Sequence, residues 1–237
     1  MGEPVLESGR RAEAETALAQ AVELAPQIAQ VWFERGNVWA GLEEPARAVA
    51  DYSQALELSQ DAGSRSVLYR ERGYAHARLN HHAETLADWQ RALDAAPQSA
   101  VAHNDLAWLL ATCADTALRN PKRAVELAAK AVELAPTEGM VWNTLGAARY
   151  RGREWSTAIE ALNRSMELRQ GGDAFDYFFL AMAHWQLDHK DEALKWYEKA
   201  VRWVQTNEEA LKNDTMHKEE LARFRAEAHE LLGVSGP

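Results

Sequence analysis

Apolar residues along most of this chain recur at i, i+3, i+4 and i+7, the spacing that gives a helix one apolar stripe and leaves its other faces polar. Polar or proline-bearing turns break the stripe, and it resumes at a nearly constant interval. The segments "VWFERGNVWAGL" (31–42), "VLYRERGYAHARL" (67–79) and "VWNTLGAARYRG" (141–152) each place an aromatic residue four positions before a glycine. Gly36, Gly73 and Gly146 mark one small-residue position, which Ala107 and Ala181 hold in two further segments, with successive spacings of 37, 34, 39 and 35. A second register of small residues runs Ala14, Ala48, Thr85, Ala124, Ala158, Ala193. Four positions later stands a large residue (Leu18, Tyr52, Trp89, Leu162, Tyr197), with Ala128 the exception. Three further on the residue is small again: Ala21, Ala55, Ala92, Ala131, Ser165, Ala200.

Two registers per period predict two antiparallel helices per unit. Small positions let the backbones approach, large ones fill the space between, and neighbouring units complete one another's core. Pro26, Pro97 and Pro136 close three units, because proline cannot continue a helix. Pro45 and Pro121 stand three residues before the small position of their helices, a first-turn site where proline is tolerated.

The pattern aromatic–x2–large–small–x2–aromatic, then small–x3–large–x2–small, then proline, resembles the tetratricopeptide repeat of bacterial-type arrays. Its best units are Trp32/Gly36/Trp39/Ala48/Tyr52/Ala55 and Trp142/Leu145/Gly146/Ala158/Leu162, and the resemblance covers about residues 10 to 205. Thr85, His76, Arg149, Gln60 and Gln170 depart from it. The resemblance implies an all-α fold, a right-handed superhelical solenoid of antiparallel helix pairs. Residues 1–26 are expected to form an N-terminal half repeat, with "VLESGRR" as the end of a first helix and the loop after it. Residues 27–205 are expected to form five helix pairs, and 206–237 a linker and a capping helix. That last helix, "DTMHKEELARFRAEAHELLG" (214–233), has Asp214 or Thr215 as cap, an apolar stripe of Leu221, Phe224, Ala228 and Leu231, and Gly233 as stop. The missing first half of the opening unit is expected to mean a fragment or a module downstream of another domain.

One unit breaks the period. From Ala107 to Ala124 is 17 residues, whereas the same step is 12 in the units at Gly36, Gly73, Gly146 and Ala181. Five extra residues around "ADTALRN" therefore lengthen one intra-pair turn. Cys113, the single cysteine, lies beside them and reads as a small apolar residue; a nucleophile would need a low thiol pKa and a partner base.

Composition narrows the function. A net charge of −10 disfavours nucleic acid and anionic membranes, which need basic surfaces. One cysteine makes no internal disulfide and no zinc spacing. No apolar run approaches the length of about 20 residues that spans a bilayer, and the N-terminus lacks the apolar core of a signal peptide; a cytoplasmic protein is expected. Glycine-rich phosphate loops and HExxH pairs are absent. His81, His82 and His189 fall in turns, His184 on a core position. No cofactor, no metal and no catalysis are expected.

The resemblance implies a protein-interaction scaffold that holds a peptide or partner domain, of unknown identity, in a concave groove lined by first helices. The alternative is a non-catalytic regulatory or targeting arm of a larger multidomain enzyme such as a bacterial Ser/Thr kinase. Groove-facing positions are Asn37, Arg70, Tyr74, Arg78, Asn104, Trp108, Asn143, Arg151, Phe178, Met182 and Trp185. The fifth and ninth positions of each first helix include no lysine–asparagine pair, so an acidic EEVD-type tail is not expected to bind tightly. Asn104 and Asn143 occupy equivalent places and suit the backbone of an extended peptide. Phe178, Met182 and Trp185 form a second apolar stripe on a helix whose core stripe is already Tyr177, Leu180, Ala181 and His184. Either the rest of the chain covers that second stripe, or it anchors a partner or a second copy of the chain.

Overall fold

A computed structural model describes the backbone of residues 3–212 and 214–234, and side chains from residue 13 onward except Ala14. Among the described residues all regular structure is helical. It divides into two compact units, Met1–Ala96 and Pro97–Pro237. The first holds α1 (Glu3–Leu24), α2 (Ala29–Gly41), α3 (Pro45–Leu58), α4 (Ala62–Arg78) and α5 (His82–Ala95). The second holds α6 (Ala100–Thr112), α7 (Pro121–Leu134), α8 (Gly139–Arg151), α9 (Trp155–Leu168), α10 (Ala174–Gln186), α11 (Lys190–Thr206), α12 (Glu208–Leu211) and α13 (Thr215–Leu232). The packed pairs are α2/α3 and α4/α5 in the first unit, and α6/α7, α8/α9 and α10/α11 in the second.

The small register works as its spacing requires. A Cβ built on Gly36 would meet the Tyr52 ring at 2.6 Å, one on Gly73 the Trp89 indole at 2.4 Å, and one on Gly146 the Leu162 side chain at 2.5 Å. Each pair is 16 residues apart, glycine on the first helix and the large residue on the second. Gly73→Ala should therefore lose stability by about 1–3 kcal/mol, because a rigid indole has no easy retreat. Gly41→Ala meets nothing within 4 Å and should be neutral or stabilising by up to about 1 kcal/mol. Thermal denaturation of the two variants side by side checks the register.

The intra-pair turns share one device. Glu43, Asn80, Arg153 and Asp188, each seven residues after the small position, adopt left-handed backbone (φ 57–63°). The next residue's N–H closes on the carbonyl five back: Glu44 on Trp39, His81 on His76, Glu154 on Arg149, His189 on His184. This is the six-to-one bond of a Schellman C-cap, which satisfies carbonyls that the helix end leaves open. The lengthened unit does without it. There Asp115 caps a 3-10 turn, Thr116–Leu118, the Asn120 N–H bonds the Leu110 carbonyl at 2.9 Å, and the Asn120 side chain caps α7. Pro45 and Pro121 open α3 and α7 as expected, and Trp32 and Trp142 each donate an indole N–H to the turn proline six residues back, Pro26 and Pro136.

Two expectations change. The loop at "VLESGRR" does not form; α1 is continuous from Glu3 to Leu24, since the surrounding Glu and Ala favour helix and one interior glycine costs only about 1 kcal/mol. The polar connection before the last helix is mostly helical too, as α11 runs to Thr206 and α12 follows. Both ends of α13 match: the Asp214 side chain accepts from the His217 N–H, and Gly233 is left-handed at φ 63°.

Two ion pairs inside the first unit follow the same 16-residue offset, one position before the small–large pairs. Arg35 grips Asp51 with two bonds of 2.6 Å, and Arg72 grips Asp88 with two of 2.7 Å. The corresponding first-helix positions of the second unit are Leu106, Leu145 and Leu180, all buried. A bidentate arginine–carboxylate fork thus stands where leucine packing stands elsewhere.

Candidate functional site: the first-helix faces of the two units

In the first unit the candidate residues come from α2 and α4. Asn37 is half-buried and its Oδ1 accepts from the Tyr52 hydroxyl at 2.9 Å. Arg70 pairs with Glu71 at 2.7 Å, and the Tyr74 ring meets Trp89 edge-on at 5.0 Å. Arg78 is exposed and donates to the Ala40 carbonyl at 2.9 Å. Val67, one turn before Arg70, is 42% exposed. Together they form an accessible face carrying arginines, an aromatic edge and an apolar residue.

The second unit differs, because α13 lies on its first helices. Phe224 of α13 is fully buried and packs against Phe179 (ring centroids 5.0 Å), Phe175 (6.1 Å) and Trp108 (6.1 Å). Trp108 donates its indole N–H to Glu220 at 3.1 Å, and Arg151 holds Glu227 through both terminal nitrogens. Burial pushes the Glu220 carboxyl pKa up, against the pull of the Trp108 bond and Arg223. Leu221, Ala228 and Leu232 complete the buried side of α13, and His229 Nδ1 lies 3.1 Å from the Tyr197 hydroxyl. Trp108 and Arg151, expected in the groove, are thus brought together, but their contacts are with the chain's own last helix.

Asn143 is a correction. It is buried and donates its amide to Asp176 Oδ1 at 2.7 Å, so it offers nothing to a ligand. Asp176 is fully buried at the start of α10 and also accepts from Ser165 Oγ (3.0 Å), the Asp173 N–H (3.1 Å) and Arg169. Burial, then the nearby Asp173 charge, raise its pKa above the ordinary carboxylate value, while Arg169 and Asn143 pull the other way. Asn104, the counterpart of Asn143, is half-buried; its Oδ1 is buried with no hydrogen-bond partner among the described residues.

Phe178 and Met182 are fully buried, so they present no surface; Phe178 packs on Tyr197 of α11 at 6.1 Å. Trp185 is half-buried, with Lys190 Nζ 3.7 Å from its ring centroid. A helix apolar on nearly every side has here found cover on nearly every side.

What sequence missed is that the position six before the small residue is apolar and exposed in three helix pairs: Val67 in the first unit, Val101 (46%) and Met140 (54%) in the second. Their signal was available, since no core stripe uses that position. Cys113 is buried, and burial raises its thiol pKa, away from the reactive thiolate. Half-burial and the neighbouring His189 charge lower the His184 pKa; the two rings pair within the turn. Among the described residues no cluster of three His, Cys, Asp or Glu has metal-binding geometry, and no helix is long and apolar enough to cross a membrane.

Comparison with known proteins agrees with the register. Tetratricopeptide-repeat family models match residues 5–63 and 177–206. No curated protein sequence matches the chain. Among solved structures, MamA (residues 41 to end) from Desulfovibrio magneticus RS-1 is 15% identical with a TM-score of 0.62, over 75% of this chain and 96% of that one. YrrB, described as a TPR protein with an unusual peptide-binding site, is 21% identical with a TM-score of 0.61, over 84% and 98%. The APC/C hetero-tetramer Cut9–Hcn1 is 16% identical with a TM-score of 0.66, over 96% of this chain and 46% of that one. The chain thus carries tetratricopeptide repeats at residues 5–63 and 177–206, and its paired helices, with a glycine facing a large residue 16 positions on, have the fold of tetratricopeptide-repeat proteins.

Proposed function

We propose that this chain is a protein-interaction scaffold, and that the first-helix face of its first unit binds a peptide or partner domain. The observation that carries the reading lies in the second unit. There the equivalent face already holds a polypeptide, the amphipathic α13, through an aromatic centre flanked by ion pairs. The same type of face on α2 and α4 carries Arg70, Tyr74 and Arg78 beside the exposed Val67. Arginines there favour an acidic ligand although the chain as a whole is acidic, and binding should weaken with added salt.

The test is capture of partners by the full chain from lysate of its source, compared with Arg70→Glu/Arg78→Glu and with Val67→Asp. Helical circular dichroism is recorded for each variant. At least a severalfold loss of the captured species is expected in both, with helicity unchanged. Capture unaffected by either change would refute the assignment of this face.

A further inference from the structure

We infer that the first-helix face of the second unit is a binding groove for an acidic amphipathic helix, and that α13 occupies it in cis and must leave before a partner helix enters. This rests on the scaffold reading and adds the partner's chemistry and the state of the site.

The seat is built like a helix-in-groove site, in which an amphipathic helix lays its apolar face on a row of anchors. Its floor is aromatic, from three different elements' first helices: Trp108 of α6, Tyr150 of α8, and Phe175 and Phe179 of α10. Phe224 enters the centre, fully buried. At one end the Trp108 N–H waits for a carboxylate, met by Glu220; at the other the Arg151 guanidinium takes Glu227. The two carboxylates are seven residues apart, two helical turns, with the phenylalanine between them. Any helix repeating that order, acid, aromatic at +4, acid at +7, with aliphatic residues along the same stripe, meets the same groups.

The tether is suited to exchange. α13 joins α11 through α12, which fully buries no residue: Leu211 packs half-buried on the core, while Glu208, Glu209, Ala210 and Lys212 are exposed. Most of what holds α13 is therefore the groove rather than the connection. While it is seated, the aromatic floor is closed, and a partner helix has to compete with a ligand present at high effective concentration.

The probe is a fluorescent synthetic peptide of residues 214–234, measured by anisotropy against the full chain. The chain carrying Phe224→Ala keeps every groove residue but has a weakened cis occupant. It should bind the peptide at least about tenfold more tightly than the unmodified chain does, and a peptide carrying the same Phe224→Ala change should lose that gain. If the Phe224→Ala chain has lost helical signal, the wild-type peptide should restore it and raise its melting temperature. Equal, weak binding to both chains, or lost helicity that the peptide does not restore, overturns the inference. The probe comes from this chain, so either result leaves the partner-capture test of the first unit untouched.

Discussion

Asp176→Ala is expected to lower stability by about 3–5 kcal/mol, the usual cost of removing one partner from a buried ion pair. Four donors converge on this carboxylate: the Asn143 amide, the Ser165 hydroxyl, the Asp173 N–H and the Arg169 guanidinium. They come from α8, α9, the turn after α9 and the start of α10, so one side chain ties three helices of two pairs. Alanine would leave the Asn143 amide and the Ser165 hydroxyl buried without this acceptor, while Arg169 would keep only Asp173. Asparagine should help little, because its NH2 would face donors where the carboxylate offered only lone pairs. Chemical denaturation of the wild type, Asp176→Ala and Asp176→Asn checks this. A loss under 1 kcal/mol in the alanine variant would mean the network is decorative.

The second large effect separates the two roles open to the apolar stripe of α10. Phe178 is fully buried against α11, so Phe178→Ala should cost about 3–5 kcal/mol through lost burial and the cavity left behind. Trp185 is half-buried, packs at the edge of the same core and carries Lys190 on its ring, so Trp185→Ala should cost less than Phe178→Ala, about 1–3 kcal/mol. Comparing the two melting curves is enough. If both variants melt like the wild type, Phe178 is not core and the stripe regains its place as a surface.

How far the sequence reached differs between fold and site. Gly36, Gly73 and Gly146 could be placed against Tyr52, Trp89 and Leu162 from spacing alone, since close helix packing demands small opposite large and the demand repeats in every unit. The lengthened turn was visible as an arithmetic departure, 17 against 12. The site was less legible, because repeat position says only which way a side chain points from its own helix. Asn104 and Asn143 are equivalent by that measure. Yet one has a buried oxygen without a partner and the other is consumed by Asp176, thirty-three residues away.

Local and periodic information therefore determined what is repeated: helix pairs, the small–large register and the proline starts, together with the glycine stop of the last helix at Gly233. Each depends on residues within one or two turns, or on a neighbour at a fixed offset. The tertiary structure alone decided what is not repeated. It laid α13 on Trp108, Arg151 and Phe179. Those contacts join residues up to 112 positions apart, a separation at which no period operates and only the geometry of the folded chain determines which faces remain open.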